Sequence, residues 1–255
     1  MALAHVERGR GAPVVLLHAF PLSGAMWAAT LEALAPVARA LAPDLPGFGR
    51  SPRLPRPSIA GMAAAVLAWM DQFGVAQAAV CGLSMGGYVA FELMRQAPQR
   101  VRALGLCSTR AVADTPEQRA ARLALIDRVH AQGAGSIRAG TVPKLLGQTT
   151  LRSKPALVEQ VGGWVSQADA GGVIDALQAM ADRRDAADLL PGICAPALVV
   201  AGEEDALIPV AAAQAMAQRL ARAALAIVPA AGHLVNLEQP EAFHAALTQL
   251  LEPAA

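Results

Sequence analysis

A serine, an acidic residue and a histidine each follow a short apolar run in this chain, in that order. Ser84 sits in Gly82-Leu83-Ser84-Met85-Gly86. The run Ala78–Cys81 before it reads as a buried strand, and the apolar residues of Gly87–Met94 after it recur at helical spacing. Glycines on both sides of a serine at a strand-to-helix turn have a steric reason. The turn is tight, and a Cβ at Gly82 or Gly86 would collide with neighbouring backbone. The hydroxyl is then held out at the end of the strand, beside the positive end of the following helix. A serine alone is a poor nucleophile and needs a base that a third group orients.

Two later strands end in groups of that kind. Ala197–Gly202 reads as a buried strand followed by Glu203, Glu204 and Asp205, and Ala224–Pro229 reads as a strand followed by Gly232 and His233. His233 is the expected base. The acid belongs late in its loop, where it can turn back toward His233, and Pro209 marks the start of the next helix. Asp205 is therefore favoured, with Glu203 and Glu204 as alternatives. His5 and His244 read as surface or helix-face residues, and His130 as the end of a helix, where positive charge suits the dipole. Acyl transfer also needs two backbone N–H groups aimed at the oxygen that gains charge. Met85, next after the serine, would supply one. Phe20 would supply the other, from the loop that leaves the strand Val14–Leu17, since Pro21 has no N–H. His18 reads as a structural group that holds this loop.

Positioning these groups takes a sheet. Strands are expected at Val14–His18, Val37–Ala42, Ala78–Gly82, Val101–Cys107, Ala197–Gly202 and Leu225–Val228. Helices are expected near 24–35, 58–73, 86–97, 210–221 and 240–251. This alternation predicts an α/β fold, a mostly parallel sheet with helices on both faces. The interval from about 110 to 190 breaks the rhythm, with helical patterns at Pro116–Gln132, Ser136–Leu146, Pro155–Ser166 and Gly171–Ala181. A structureless stretch of that length is implausible. The expected organisation is an α/β core of residues 1–109 and 191–255, with residues 110–190 inserted as a helical cap over Ser84.

Five stretches, taken together, resemble one superfamily. They are His18-Ala19-Phe20-Pro21-Leu22-Ser23, Asp44–Ser51, Gly82–Gly87, Gly202–Asp205 and Gly232-His233, in that order. The chain resembles the α/β-hydrolase superfamily across about residues 5 to 252. It is most similar to the small bacterial branch of esterases, 3-oxoadipate enol-lactonases, carbon–carbon bond hydrolases and cofactor-free perhydrolases. The resemblance implies an α/β-hydrolase fold with Ser84 as nucleophile, His233 as general base and Asp205 as its partner. It implies cleavage of a small carboxylic ester or lactone through an acyl-enzyme, with no cofactor. Carbon–carbon hydrolysis, peracid formation and ligand sensing by the same fold are the alternatives. The chain departs from the family at Ala19, where a glycine usually follows the histidine.

Composition suits a single enzyme domain. At 255 residues, with 55% hydrophobic and 16% charged, the chain has ample material for a core, though much of it is alanine. A net charge of +1 offers nothing to attract nucleic acid or an anionic membrane surface. No apolar run reaches the roughly 18 residues of a membrane span, and Met1–Arg8 lacks an apolar signal core. Cys81, Cys107 and Cys194, an odd number, read as small core residues in a reducing compartment. A cytoplasmic protein is expected. No metal is expected either, since no Cys/His cluster has ligand spacing. The candidates for a substrate pocket are Trp164, Arg110, Leu145 and Leu146, with Val142 and Ile137 beside them. Packing of the cap competes for the apolar ones, and a salt bridge for Arg110. Trp27 reads as core.

Overall fold

The computed structural model describes residues 2–252, and among these seven strands form one sheet, in the order β1-β3-β2-β4-β5-β6-β7. They are β1 (His5–Arg8), β2 (Pro13–Leu17), β3 (Arg39–Pro43), β4 (Ala78–Leu83), β5 (Val101–Cys107), β6 (Ala197–Gly202) and β7 (Ala223–Val228). The pairings from β3 through β2, β4, β5, β6 to β7 are all parallel. Helices cover both faces, so β4 and β6 are buried at every position and read as unbroken apolar runs. β1 and β7 are the two edges, and Leu225 and Ile227 of β7 remain partly exposed.

β1 has no counterpart in the sequence reading. Its four residues, His-Val-Glu-Arg, are too few and too polar to register as an apolar run. It pairs antiparallel with β3, from His5 opposite Pro43 to Arg8 opposite Ala40. His5 is accordingly half-buried. Its ring packs edge-on against Trp69 and Phe73, and the Trp69 indole donates to its Nδ1 at 3.4 Å.

The core helices are α1 (Ala28–Leu34), α2 (Ile59–Gln72) and α3 (Met85–Gln96) in the first half of the chain. Between β5 and β6 come α4 (Pro116–Gln132), α5 (Arg138–Leu145), α6 (Gln148–Ser153), α7 (Pro155–Gln167) and α8 (Ala170–Ala181). The chain closes with α9 (Val210–Arg219), α10 (Val235–Glu238) and α11 (Pro240–Leu251). Local chemistry sets these ends. Thr115 and Gln118 cap each other's backbone at the start of α4, and Asp169 accepts the Gly172 N–H at the start of α8. The helix expected over 24–35 opens instead with a 3-10 turn at Gly24–Trp27. The polar α6 carries no apolar period and was not expected. Cys81 and Cys107 are buried, but Cys194 is exposed. It lies in the turn before β6, so the expectation of three core thiols holds for two.

Asp114 anchors the inserted helices at their root. Its carboxylate, 1% exposed, meets Arg110 and Arg122 at 2.6 Å and Arg183 at 2.7 Å. Burial pushes this carboxyl up, but Arg122 and Arg183 outweigh that and hold it below the usual carboxylate range. Removing the acid leaves three guanidinium groups crowded without a counter-charge. Asp114→Asn is expected to lower stability by about 3–5 kcal/mol in urea unfolding. A loss below about 1 kcal/mol would show that the cluster is solvated.

Candidate active site

The chain passes from β4 to α3 through Ser84 alone. Ser84 has φ 55° and ψ −113°, a backbone conformation that is costly for a residue with a Cβ. Its surroundings hold it there. The Ser84 N–H donates to the Cys107 carbonyl at 2.8 Å. Its carbonyl accepts the Gly87 N–H and the Thr109 hydroxyl, each at 2.9 Å. The flanking glycines are needed for space. A Cβ on Gly82 would stand 2.2 Å from the Gly86 carbonyl oxygen, and one on Gly86 would stand 2.1 Å from that of Leu17.

Two parallel strands further along, the loops after β6 and β7 meet. Asp205 Oδ2 lies 2.8 Å from His233 Nδ1, with the carboxylate 0% and the imidazole 1% exposed. The other carboxylate oxygen accepts the N–H groups of Leu207 at 2.8 Å and Ile208 at 3.0 Å. A carboxylate facing Nδ1 places the ring proton there and leaves the lone pair on Nε2. Nε2 is buried and has no hydrogen-bond partner among the described residues. Of the three consecutive acids, only Asp205 faces the imidazole. Glu203 is exposed. Glu204 turns to α6, where it accepts the Thr149 N–H at 2.7 Å and the Thr149 hydroxyl at 2.6 Å. Those bonds, the hydroxyl's foremost, hold its carboxyl below the ordinary range.

The loop leaving β2 stands beside Ser84, because Leu17 pairs with Gly82 across the sheet. His18 is fully buried and braces this loop. Its Nε2 accepts the Leu45 N–H at 2.9 Å, so the ring proton is on Nδ1 and points to the Ala19 carbonyl at 3.0 Å. The Ala19 N–H donates to Met26 Sδ at 3.3 Å, and the Met26 carbonyl accepts from the Asn236 side chain at 3.0 Å. The loops carrying Phe20 and His233 are thereby joined. Met85 is the first residue of α3, where an N–H has no acceptor within the helix.

Residues 12–240 match the family model described as the alpha/beta hydrolase fold. The chain belongs to the α/β-hydrolase fold family. It is 31% identical to a pimeloyl-[acyl-carrier protein] methyl ester esterase from Chromobacterium violaceum, over 97% of each chain. It is 32% identical to a dihydrolipoyllysine-residue acetyltransferase component of an acetoin cleaving system from Pseudomonas putida, covering 91% of this chain and spanning 61% of that protein's length. Among solved structures, a thermophilic esterase from Thermogutta terrifontis superposes with a TM-score of 0.95 at 37% identity, over 98% of this chain and 92% of that one. The enol-lactonase from Burkholderia xenovorans superposes with a TM-score of 0.90 at 26% identity, over 98% and 96%.

In this α/β-hydrolase the residues singled out for a pocket fall in different places. Leu145 and Leu146 are buried, and the Leu145 carbonyl accepts the Leu234 N–H at 3.2 Å, beside His233. Trp164 is half-buried and packs against the core cluster. Val142 and Ile137 are buried within the insert. Arg110 has one guanidinium nitrogen on Asp114. Trp27 is fully buried, as core. Thr109, Asn236 and Glu238 also shape the site and escaped the sequence reading. Each bonds to backbone groups distant in the chain, which leaves no local signal.

Burial lowers the His18 pKa from 6.5 to about 4, outweighing its bond to the Ala19 carbonyl. The folded state therefore favours neutral His18, and the unfolded chain takes up the proton first as pH falls. The His18 contribution is complete at neutral pH and is lost between about 6.5 and 4. The stability gap between wild type and His18→Gln should narrow by roughly 2 kcal/mol from pH 7 to pH 4.5 in urea titrations. A gap independent of pH would contradict a buried neutral imidazole.

Proposed function

We propose that this α/β-hydrolase cleaves a small carboxylic ester or lactone through an acyl-enzyme on Ser84. One observation carries the reading: a buried imidazole, oriented by Asp205 and with Nε2 unpartnered, follows the carboxyl end of one parallel strand as the strained Ser84 follows that of another. Nε2 takes the Ser84 proton as Oγ attacks the carbonyl carbon. Asp205 holds the ring tautomer and balances the imidazolium. The N–H groups of Met85 and Phe20 bind the oxyanion, from the first turn of α3 and from the loop after β2. His233 then gives its proton to the leaving alkoxide and activates a water that frees the acid. The similarity to an esterase and an enol-lactonase supports this chemistry.

Helices α4–α8 serve as a cap over Ser84. The bonds from Glu204 to Thr149 and from Leu234 to Leu145 support this, since both bring the insert to the His233 loop. Leu145 and Leu146 then offer apolar surface to an acyl chain, while Trp164 packs against the core cluster and Arg110 is paired with Asp114. No helix among the described residues is long and apolar enough to cross a membrane.

The test is intact mass after treatment with a fluorophosphonate, beside turnover of p-nitrophenyl esters of graded acyl length. A single adduct on Ser84 is expected, with multiple turnovers. Ser84→Ala should abolish the adduct and reduce kcat by about 10⁴-fold or more, as should His233→Ala. Asp205→Asn should keep the fold and lower kcat by roughly 10³–10⁴-fold. An adduct without ester turnover would turn the reading toward carbon–carbon cleavage or ligand sensing. Undiminished turnover by Ser84→Ala would end it.

A further inference from the structure

The histidine loop is held by a second acid that the mechanism does not use. Glu238 ends the short α10, five residues after His233, and is 0% exposed. One of its carboxylate oxygens accepts the N–H groups of Gly232 at 3.0 Å and Leu234 at 3.1 Å, the two neighbours of His233. The other accepts the N–H of Gly147 at 2.7 Å, between α5 and α6 of the insert. Gly147 and Gly232 meet backbone to backbone, since a Cβ on Gly232 would stand 2.2 Å from the Gly147 nitrogen. Lys154, at the α6–α7 junction, donates its ammonium to the Glu238 carbonyl.

An apolar side chain would fill this volume without the desolvation of a carboxylate, but it would leave the buried N–H groups of Gly147 and Gly232 unpaired and that of Leu234 with the Leu145 carbonyl alone. We propose that Glu238 is a positioning residue for His233: one carboxylate pins the peptide groups on both sides of the histidine and ties them to the insert at Gly147. Asp205 orients the imidazole ring, and Glu238 fixes the backbone that carries it. The closure of the insert and the placement of the base then depend on the same group. The inference rests on the reading of His233 as general base.

Glu238→Gln keeps the shape, but its amide must turn an NH2 either toward Gly147 or toward the two loop N–H groups. The expected result is a kcat about 10- to 100-fold lower on p-nitrophenyl esters with KM little changed, as for a misplaced catalytic group. The acid limb of the kcat/KM profile should move as well, since the imidazole sits differently. The charged groups around the site are Lys154, His233 and Asp205, with Glu204 turned away to Thr149. Glu204→Gln is the comparison. It loosens the same insert without touching the peptides around His233, and should change KM while leaving the acid limb in place.

A folded Glu238→Gln variant with wild-type kcat and an unmoved acid limb would overturn the proposal. Failure of the underlying reading is seen separately, as a wild type that neither labels at Ser84 nor turns over ester. If Glu238→Gln does not fold, amide hydrogen exchange on the wild type decides. Common, strong protection at Gly147, Gly232 and Leu234 supports a single shared clamp, and rapid exchange at Gly232 and Leu234 overturns it.

Discussion

Between the end of β2 and the start of α3 there is no room for a methyl group. The Cα of Gly86 sits so close to Leu17 that a side chain there would overlap its carbonyl oxygen. This contact brings the first turn of α3 against the sheet and sets where Ser84 can be. The register between β2 and β4 places the loop after Leu17 beside the same turn. The serine, the helix N-terminus and the Ala19–Phe20 loop are thus located by one close approach. The left-handed backbone at Ser84 is the local cost, and bonds from Cys107, Gly87 and Thr109 offset it.

Around this turn the protein buries ionisable groups that an apolar core would exclude. Each is matched by partners suited to one protonation state. Asp205 has two backbone N–H groups and an imidazole, Glu238 has three N–H groups, and Asp114 has three guanidinium groups. His18 is matched in the opposite sense, by one donor and one acceptor that fit the neutral ring. An unpaired group at any of these places would cost about 1–3 kcal/mol or more. The polar groups therefore fix geometry more than they add stability. Nε2 of His233 is among the buried atoms left without a partner in the described residues, and it is the atom that the proposed proton transfer would use.

Charge also joins the insert to the core. Asp114 gathers the two ends of the insert itself, at α4 and just after α8, while from the core Glu204 holds the start of α6 and Arg53 reaches Asp175 on α8 at 2.6 Å. The last pair is half-exposed at its arginine and contributes little by itself. The buried contacts near His233 are the ones that couple the insert to the site.

By itself, the sequence determined the parallel core, the tight strand-to-helix turn at Ser84 and the run of helices between β5 and β6. Those features rest on local rules: unbroken apolar runs for strands buried on both faces, helical periods, and glycines where a turn allows no Cβ. β1 and α6 lacked such a signal, because a short polar segment takes its structure from the partner it meets. Although the sequence favoured Asp205 by its place in the loop, only the tertiary structure shows which of Glu203, Glu204 and Asp205 faces His233, since the folded loop sets the direction of each carboxylate. It also decided that His5 packs among aromatic rings, that Cys194 faces solvent, and that Glu238 grips both neighbours of His233. Those outcomes depend on backbone groups up to 91 residues away, and no pattern along the chain records them.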